Sequence, residues 1–344
     1  MQHEITRIIP LLNEQGELTE PGWARRMLPI YHRADVRAGA LRIKEWDYYL
    51  ITNGHIGLAL TVADNSYMGL DSISLLNFDE GWEITTSPMR LLPRGTTALP
   101  EHSAAGDTDI TGRDYGIHFR HVDGKRVLLA QMRRFGPEGS LTARIELTDE
   151  PEDSIVIATP FEKPGYFYFN QKINCLRAAG TVTYGYGNRT YTFDPADSFA
   201  VLDWGRGVWT YKNTWYWGSA SGAVGGVPFG WNIGYGFGDT SAASENALFY
   251  NGRLHKLEQV EFHIPTKKGR DDYMSPWHFT SSDGRFEMDF TPVLDRKSRT
   301  SALVIESDQH QVFGRYTGKA VLDDGTEVRV KDFFGFAEKV KNRW

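Results

Sequence analysis

Apolar and polar residues alternate with a period near two along several stretches of this chain. The clearest is Arg285–Thr291, where Phe286, Met288 and Phe290 interleave with Arg285, Glu287 and Asp289; Leu257, Val260, Phe262 and Ile264 come near the same period. Period two sends alternate side chains to opposite faces of a sheet, so these runs predict β-strands. Turn dipeptides fall between such runs. Asn53-Gly54 separates Glu45–Ile51 from His55–Val62, and Asp123-Gly124 separates Ile117–Val122 from Lys125–Met132. Asn251-Gly252, Asp283-Gly284 and Asp324-Gly325 stand between further strand-like runs. Asn-Gly and Asp-Gly favour two-residue turns with positive φ at both centres, whose twist matches that of paired strands. Five of them predict an antiparallel, all-β protein. One short helix is expected over Pro21–Tyr31, ended by Pro29. The small, polar segment Gly95–Gly112 and the charged segment Pro265–Ser275 read as surface loops.

Both halves hold an Asn-Gly hairpin followed by at least one Asp-Gly hairpin. Two similar antiparallel units in tandem are therefore expected, residues 1–200 and 201–344, although no residue period proves a repeat. A sheet of about eight strands must close or pair with a second sheet to protect its edges, and two barrels side by side use this length well.

Composition narrows the class. Of 344 residues, 40% are hydrophobic, enough for a sizeable core, and the 13% aromatic content with 35 glycines suits pleated surfaces and turns. The net charge of -6 and the lack of a Lys/Arg run speak against nucleic acid as a partner. Cys175 is the single cysteine, which excludes an intrachain disulfide and favours a reducing compartment. The first residues lack a basic segment before their short apolar run, and no eighteen consecutive apolar residues occur, so neither a signal peptide nor a transmembrane segment is expected. The expected location is cytoplasmic. Oligomeric state is not readable.

Candidate chemistry concentrates in Val201–Gly222, where Trp204, Trp209, Trp215 and Trp217 share a short span with Asp203 and Arg206. Trp215 and Trp217 lie two apart, so a strand presents both indoles on one face. Such a wall can stack on a sugar face or a polyene, or stabilise a developing cation. A carboxyl at Asp203 among apolar neighbours would have a raised pKa and could deliver a proton, unless Arg206 pairs with it. The plain alternative is that the indoles are core and Asp203–Arg206 a structural ion pair.

Lys172 and Asn174 share a strand face with Asn170, either a polar barrel lumen or a solvated surface, solvation being the commoner case. Glu245 and Asn246 follow the glycine-rich strand Phe229–Gly238, which itself holds Asn232; its glycines clear room for a close approach, although such glycines more often mark sharp strand curvature than a ligand. His310 could titrate usefully. The ten histidines show no metal-ligand spacing, and no phosphate loop or nucleophile elbow is present, so no metal or cofactor is expected.

The strings FNQKINC (169–175), LDWGRGVWTYKNTWYWGSASG (202–222), NIGYGFGDTSAASEN (232–246), SPWHFTSSDGRFEMDFTP (275–292), DQHQVFG (308–314) and GFAEKVKNRW (335–344) resemble a bacterial domain-of-unknown-function family, numbered 2804, over essentially the whole chain. In motif order the chain is more distantly similar to the carotenoid hydratase, tocopherol cyclase and survival-factor group of tandem lipocalin-like proteins. The positions that carry this likeness are Asp203-Trp204-Gly205, Thr214-Trp215-Tyr216-Trp217, Ser275-Pro276-Trp277 and Phe313-Gly314 with Gly335-Phe336-Ala337-Glu338. Two departures stand out: Asp203 and Trp204 are adjacent, and no Glu precedes Gly314. The resemblance implies two lipocalin-like barrels and a catalytic aspartate at Asp203.

Three readings follow. One is a cofactor-independent lyase or isomerase, hydratase- or cyclase-like, acting on an apolar or isoprenoid-like small molecule; Asp203 and Arg206 would be catalytic, with Trp204, Trp209, Trp215, Trp217, Lys172, Asn174, Asn232, Glu245, Asn246 and His310 binding ligand near the barrel junction. Another is a non-catalytic lipid- or metabolite-binding protein using the same residues. The last is a carbohydrate-active protein that combines indole stacking with paired carboxylates such as Asp203, Glu245 and Asp289.

Overall fold

A computed structural model describes residues 2–302 and 305–343. Among them the only helical element is a single 3-10 turn at Arg33–Asp35. The first large sheet contains β1 (Ile43–Thr52), β2 (Ile56–Asp64), β3 (Met68–Asn77), β4 (Trp82–Thr86), β5 (Thr108–Thr111), β6 (Tyr115–Val122), β7 (Lys125–Gly136), β8 (Gly139–Thr148), β9 (Phe167–Tyr184) and β10 (Phe199–Val208). Their spatial order is β4-β3-β2-β1-β10-β9-β8-β7-β6-β5, and every pairing is antiparallel. The sheet curls back on itself, Thr86 on the edge strand β4 donating its hydroxyl to the Phe135 carbonyl on β7.

The chain then enters a second sheet: β11 (Lys212–Val224), β12 (Val227–Tyr235), β13 (Ala247–Tyr250), β14 (Arg253–Lys256), β15 (Val260–His263), β16 (Trp277–Ser281), β17 (Phe286–Ala302), β18 (Ile305–Val321) and β19 (Glu327–Arg343), in the order β14-β13-β12-β11-β19-β18-β17-β16-β15. It also curls back on itself, the Phe262 amide on the edge strand β15 donating to the Tyr235 hydroxyl on β12 at 3.3 Å. The fold is therefore all-β, two curled antiparallel sheets in a lipocalin-like barrel arrangement.

All five turn dipeptides join paired strands, by two routes. Asp123-Gly124 and Asn251-Gly252 have positive φ at both residues, as two-residue hairpins require. At Asn53-Gly54, Asp283-Gly284 and Asp324-Gly325 only the glycine is left-handed and the loop is longer. The helix expected at Pro21–Tyr31 is absent. Gly22–Ala24 instead pairs with Ile155–Pro160, and Pro29–Ile30 with Ile9–Pro10, so tertiary pairing overrides a weak local signal. The segment Gly95–Gly112 is partly inward-facing. Gly95 and Thr97 donate to Asp64, and Thr108 donates to Asp47, each at 2.8 Å, so its small polar residues satisfy carboxylates buried in the first barrel.

Each barrel interior is filled by side chains. The first holds Ile51, Leu58, Ile73, Ile117, Leu128, Ile145 and Leu202; the second holds Phe229, Trp231, Phe279, Phe286, Met288, Phe290 and Tyr316. A seam lies between the barrels, where the outer faces of β1, β9 and β10 meet those of β11, β12, β18 and β19. Tyr48, Leu50, Val201, Trp217, Phe313 and Phe336 pack there as one apolar cluster.

Candidate functional site

Period-two geometry decides what reaches the seam. On β10, Leu202, Trp204 and Arg206 point into the first barrel, while Asp203, Gly205 and Gly207 face the second. On β9, Tyr168, Asn170, Lys172 and Asn174 share the seam face, and Lys172 pairs in register with Asp203. Trp215 and Trp217 on β11, Asn232 on β12 and Glu338 on β19 face them from the second barrel. Glu245 arrives from the irregular segment before β13.

These residues form a buried polar knot. The Lys172 ammonium lies 2.8 Å from Asp203 Oδ1 and 3.7 Å from Glu245 Oε2, and sits 3.9 Å from the centre of the Trp217 ring. Asn170 donates to the same Asp203 oxygen at 2.6 Å. Trp217 donates to Asn232 Oδ1 at 2.7 Å, and Asn232 donates to Glu245 Oε2 at 2.9 Å. One lysine is thus shared by carboxyls from the two barrels. Burial pushes the Glu245 carboxyl above the usual range; Lys172 draws it back and the Asp203 charge adds to the rise. Glu338, which accepts from Trp215 at 3.0 Å and Gln309 at 2.9 Å, is also pushed up, chiefly by burial. Tyr168 is held well above its ordinary value, first by burial and then by Glu245, Asp203 and Glu338.

Beside the knot is an aromatic wall. Trp46 stacks on Tyr168 with ring centres 6.0 Å apart and meets Trp209 edge-on at 5.3 Å. Phe237 meets Tyr168, Trp209 and Trp215 edge-on at 4.8, 5.3 and 5.3 Å. Two glycines make the close approaches: a Cβ on Gly205 would lie 2.1 Å from the Trp46 ring, and one on Gly234 would lie 2.3 Å from Glu245 Oε1. The rings of the wall pack on one another rather than around open space. Two small cavities of about 10 Å³ each, room for about one water, lie beside Leu50, Ser219 and Phe336 and beside Asp47, His102 and Trp204.

The sequence-expected residues divide accordingly. Asp203, Lys172, Asn232, Glu245 and Trp217 come together, with Trp209 and Trp215 in the adjoining wall. Asn174 bridges the barrels beside them, donating to Ser219 at 2.8 Å and to the Trp231 carbonyl at 3.0 Å. Its strand face is neither lumen nor solvated surface, because a second sheet covers it. Arg206 does not pair with Asp203. Three residues apart on a strand, they face opposite ways, and Arg206 donates to Asp47 at 3.0 Å and to the Trp46 and Pro100 carbonyls at 2.7 Å. Its guanidinium lies over Trp204, which is core of the first barrel. Asn246 clamps the Gly234 amide at 2.7 Å and the Glu258 carbonyl at 2.9 Å. His310 lies apart, bonded to Asp295 at 2.8 Å and stacked on Tyr273.

Trp46, Tyr48, Tyr168, Phe237 and Gln311 belong to the seam but carried no site signal of their own. Only the alternation of Trp46 and Tyr48 with Glu45 and Asp47 could have flagged two of them.

None of the curated proteins matches this chain. Among solved structures it is similar to a protein provisionally assigned as AttH from Nitrosomonas europaea, at 13% identity over 91% of this chain and 96% of that one, with a TM-score of 0.53. It is also similar to kievitone hydratase from Nectria haematococca, at 12% identity over 98% of each chain, with a TM-score of 0.46. The first likeness concerns the fold. Residues 2–344 match the model of the family described as Domain of unknown function (DUF2804), and the chain belongs to that family.

Proposed function

We propose that the seam between the barrels is an acid–base site for a small apolar or amphipathic molecule, with chemistry of the hydratase or cyclase kind. The observation that carries this reading is Lys172 shared by Asp203 and Glu245, buried against Trp217 and beside an aromatic wall. Charged groups are costly to bury, and a well-packed core needs none of them. Their convergence at the one place where two barrels meet supports a working site. Asp203 would exchange protons with the ligand; Trp46, Trp209 and Trp215 would hold its carbon skeleton. The ligand would enter by parting side chains that now touch.

A sugar-processing reading draws less support. It needs an open cleft between two carboxyls, whereas Lys172 fills the space between Asp203 and Glu245, and Asp289 is exposed and paired with His278. Native mass spectrometry of freshly purified protein, with extraction of bound molecules, tests the reading. A retained isoprenoid or other apolar molecule, converted by the wild type and retained unchanged by a folded Asp203→Asn variant, is the expected result. Retention without conversion by either protein supports a binding protein instead, and a bound sugar overturns the proposal.

A further inference from the structure

Resting on the reading above, the geometry assigns the two carboxyls at Lys172 different roles: Glu245 is the proton donor, and Asp203 is the lysine-paired carboxylate that receives a proton. Lys172 carries one positive charge and cannot neutralise both. It lies nearer Asp203, by 2.8 against 3.7 Å, and Asn170 donates to the same Asp203 oxygen. A like-charged pair in a buried site relaxes by protonating one member, and the member farther from the cation gives up least by doing so. Glu245 also has an oxygen free for the proton. Oε2 takes the Asn232 amide, whereas Oε1 has no hydrogen-bond partner among the described residues and lies 2.3 Å from where a Cβ on Gly234 would stand.

The surrounding charges agree. Lys172 and Asp203 face Glu245 from the first barrel, with Tyr168 near by; Lys256 faces it from its own barrel, and Glu338 adds a third buried carboxyl to the seam. The Glu245 pKa is raised mainly by burial, in the same direction as the geometry.

The step balances with an alkene and water. The Oε1 proton goes to one alkene carbon, forming a C–H bond and leaving a carbocation on its neighbour and a carboxylate at Glu245. Water adds its oxygen to the cation while Asp203 takes the released proton. The proton then returns from Asp203 to Glu245 through Lys172, which lies within 4.0 Å of both. No oxidant or reductant is required.

The test needs no substrate. Carbon-13 NMR of protein labelled at Glu Cδ and Asp Cγ, with Glu245→Gln and Asp203→Asn assigning the two resonances, reads each carboxyl directly. The expected result is a protonated Glu245 and an ionised Asp203 near neutral pH, with the Glu245 midpoint above the usual glutamate range. The reverse pattern, or two ionised carboxyls, overturns the assignment. Should the fold shift in Glu245→Gln, Glu245→Asp supplies the assignment by displacing the resonance. The mass-spectrometric experiment is independent. Failure there with a protonated Glu245 sinks the function; ligand conversion with an ionised Glu245 sinks only the division of roles.

Discussion

Lys172→Met removes the charge and keeps most of the side-chain volume, so it isolates what the ammonium does at the seam. In the native protein its side chain is 3% exposed, contacts Asp203 at 2.8 Å, and faces the Trp217 ring. Asp203 would keep only the Asn170 amide and Glu245 only the Asn232 amide. Removing one partner of a buried ion pair costs about 3–5 kcal/mol, because the other charge is stranded. The pH dependence identifies the cause. Lys172 is the main influence drawing the raised Glu245 carboxyl back down, so its loss sends that carboxyl higher. A carboxyl whose native pKa exceeds its unfolded value loses stability as pH rises through the native value, by up to about 1.4 kcal/mol per unit. The penalty should be largest near pH ~8 and shrink toward pH ~5. Urea unfolding followed by tryptophan fluorescence, with slope and midpoint fitted at each pH, measures it. Lys172→Met combined with Asp203→Leu should recover most of the loss. A cost below about 1 kcal/mol, or one equal at both pH values, would refute the stranded-charge argument.

Two further perturbations test other parts of the frame. Lys256 donates to Ser244, Asn246 and Leu257 oxygens at 3.0, 2.8 and 3.0 Å, and burial pushes it down to about 7. Between that value and 10.5 the unfolded chain holds the extra proton, so this residue makes stability rise with pH; Lys256→Met should remove that rise. An unchanged slope in urea unfolding between the two would show that the ammonium is not desolvated. Gly205→Ala drives a methyl into the Trp46 ring, at a cost of about 1–3 kcal/mol; a lowered Tm with an altered near-ultraviolet tryptophan spectrum is expected, and an unchanged Tm would show that Trp46 does not lie over Gly205.

The hairpins were legible because a turn dipeptide and a period-two flank are both local, and the pair Trp215 and Trp217 was legible for the same reason. Period also places Asn170, Lys172 and Asn174 on one face. It cannot say what that face meets, and here a second sheet replaces water. Arg206 and Asp203 show why spacing has to be taken with the element: a spacing of three on a strand separates two side chains, although on a helix it would unite them. Glu245 lies in an irregular segment, where no periodicity announces direction. Its approach to Lys172 depends on β9, a strand that ends more than sixty residues earlier in the chain. The aromatic wall was half visible, since Trp209 and Trp215 sit in the dense stretch, while Trp46 and Tyr168 enter through register alone.

All ten residues of β10 are buried. One of its faces closes the first barrel and the other meets the second, so this strand has no outside, and neither do the seam faces of β1 and β9. A chain cut between Val208 and Lys212 would therefore not yield two independent proteins. It would yield two halves that each present a wet aromatic surface and a fragment of an ion cluster, Lys172 with Asp203 on one and Glu245 on the other. The halves are related as the subunits of an obligate heterodimer are, with a covalent tether standing in for affinity.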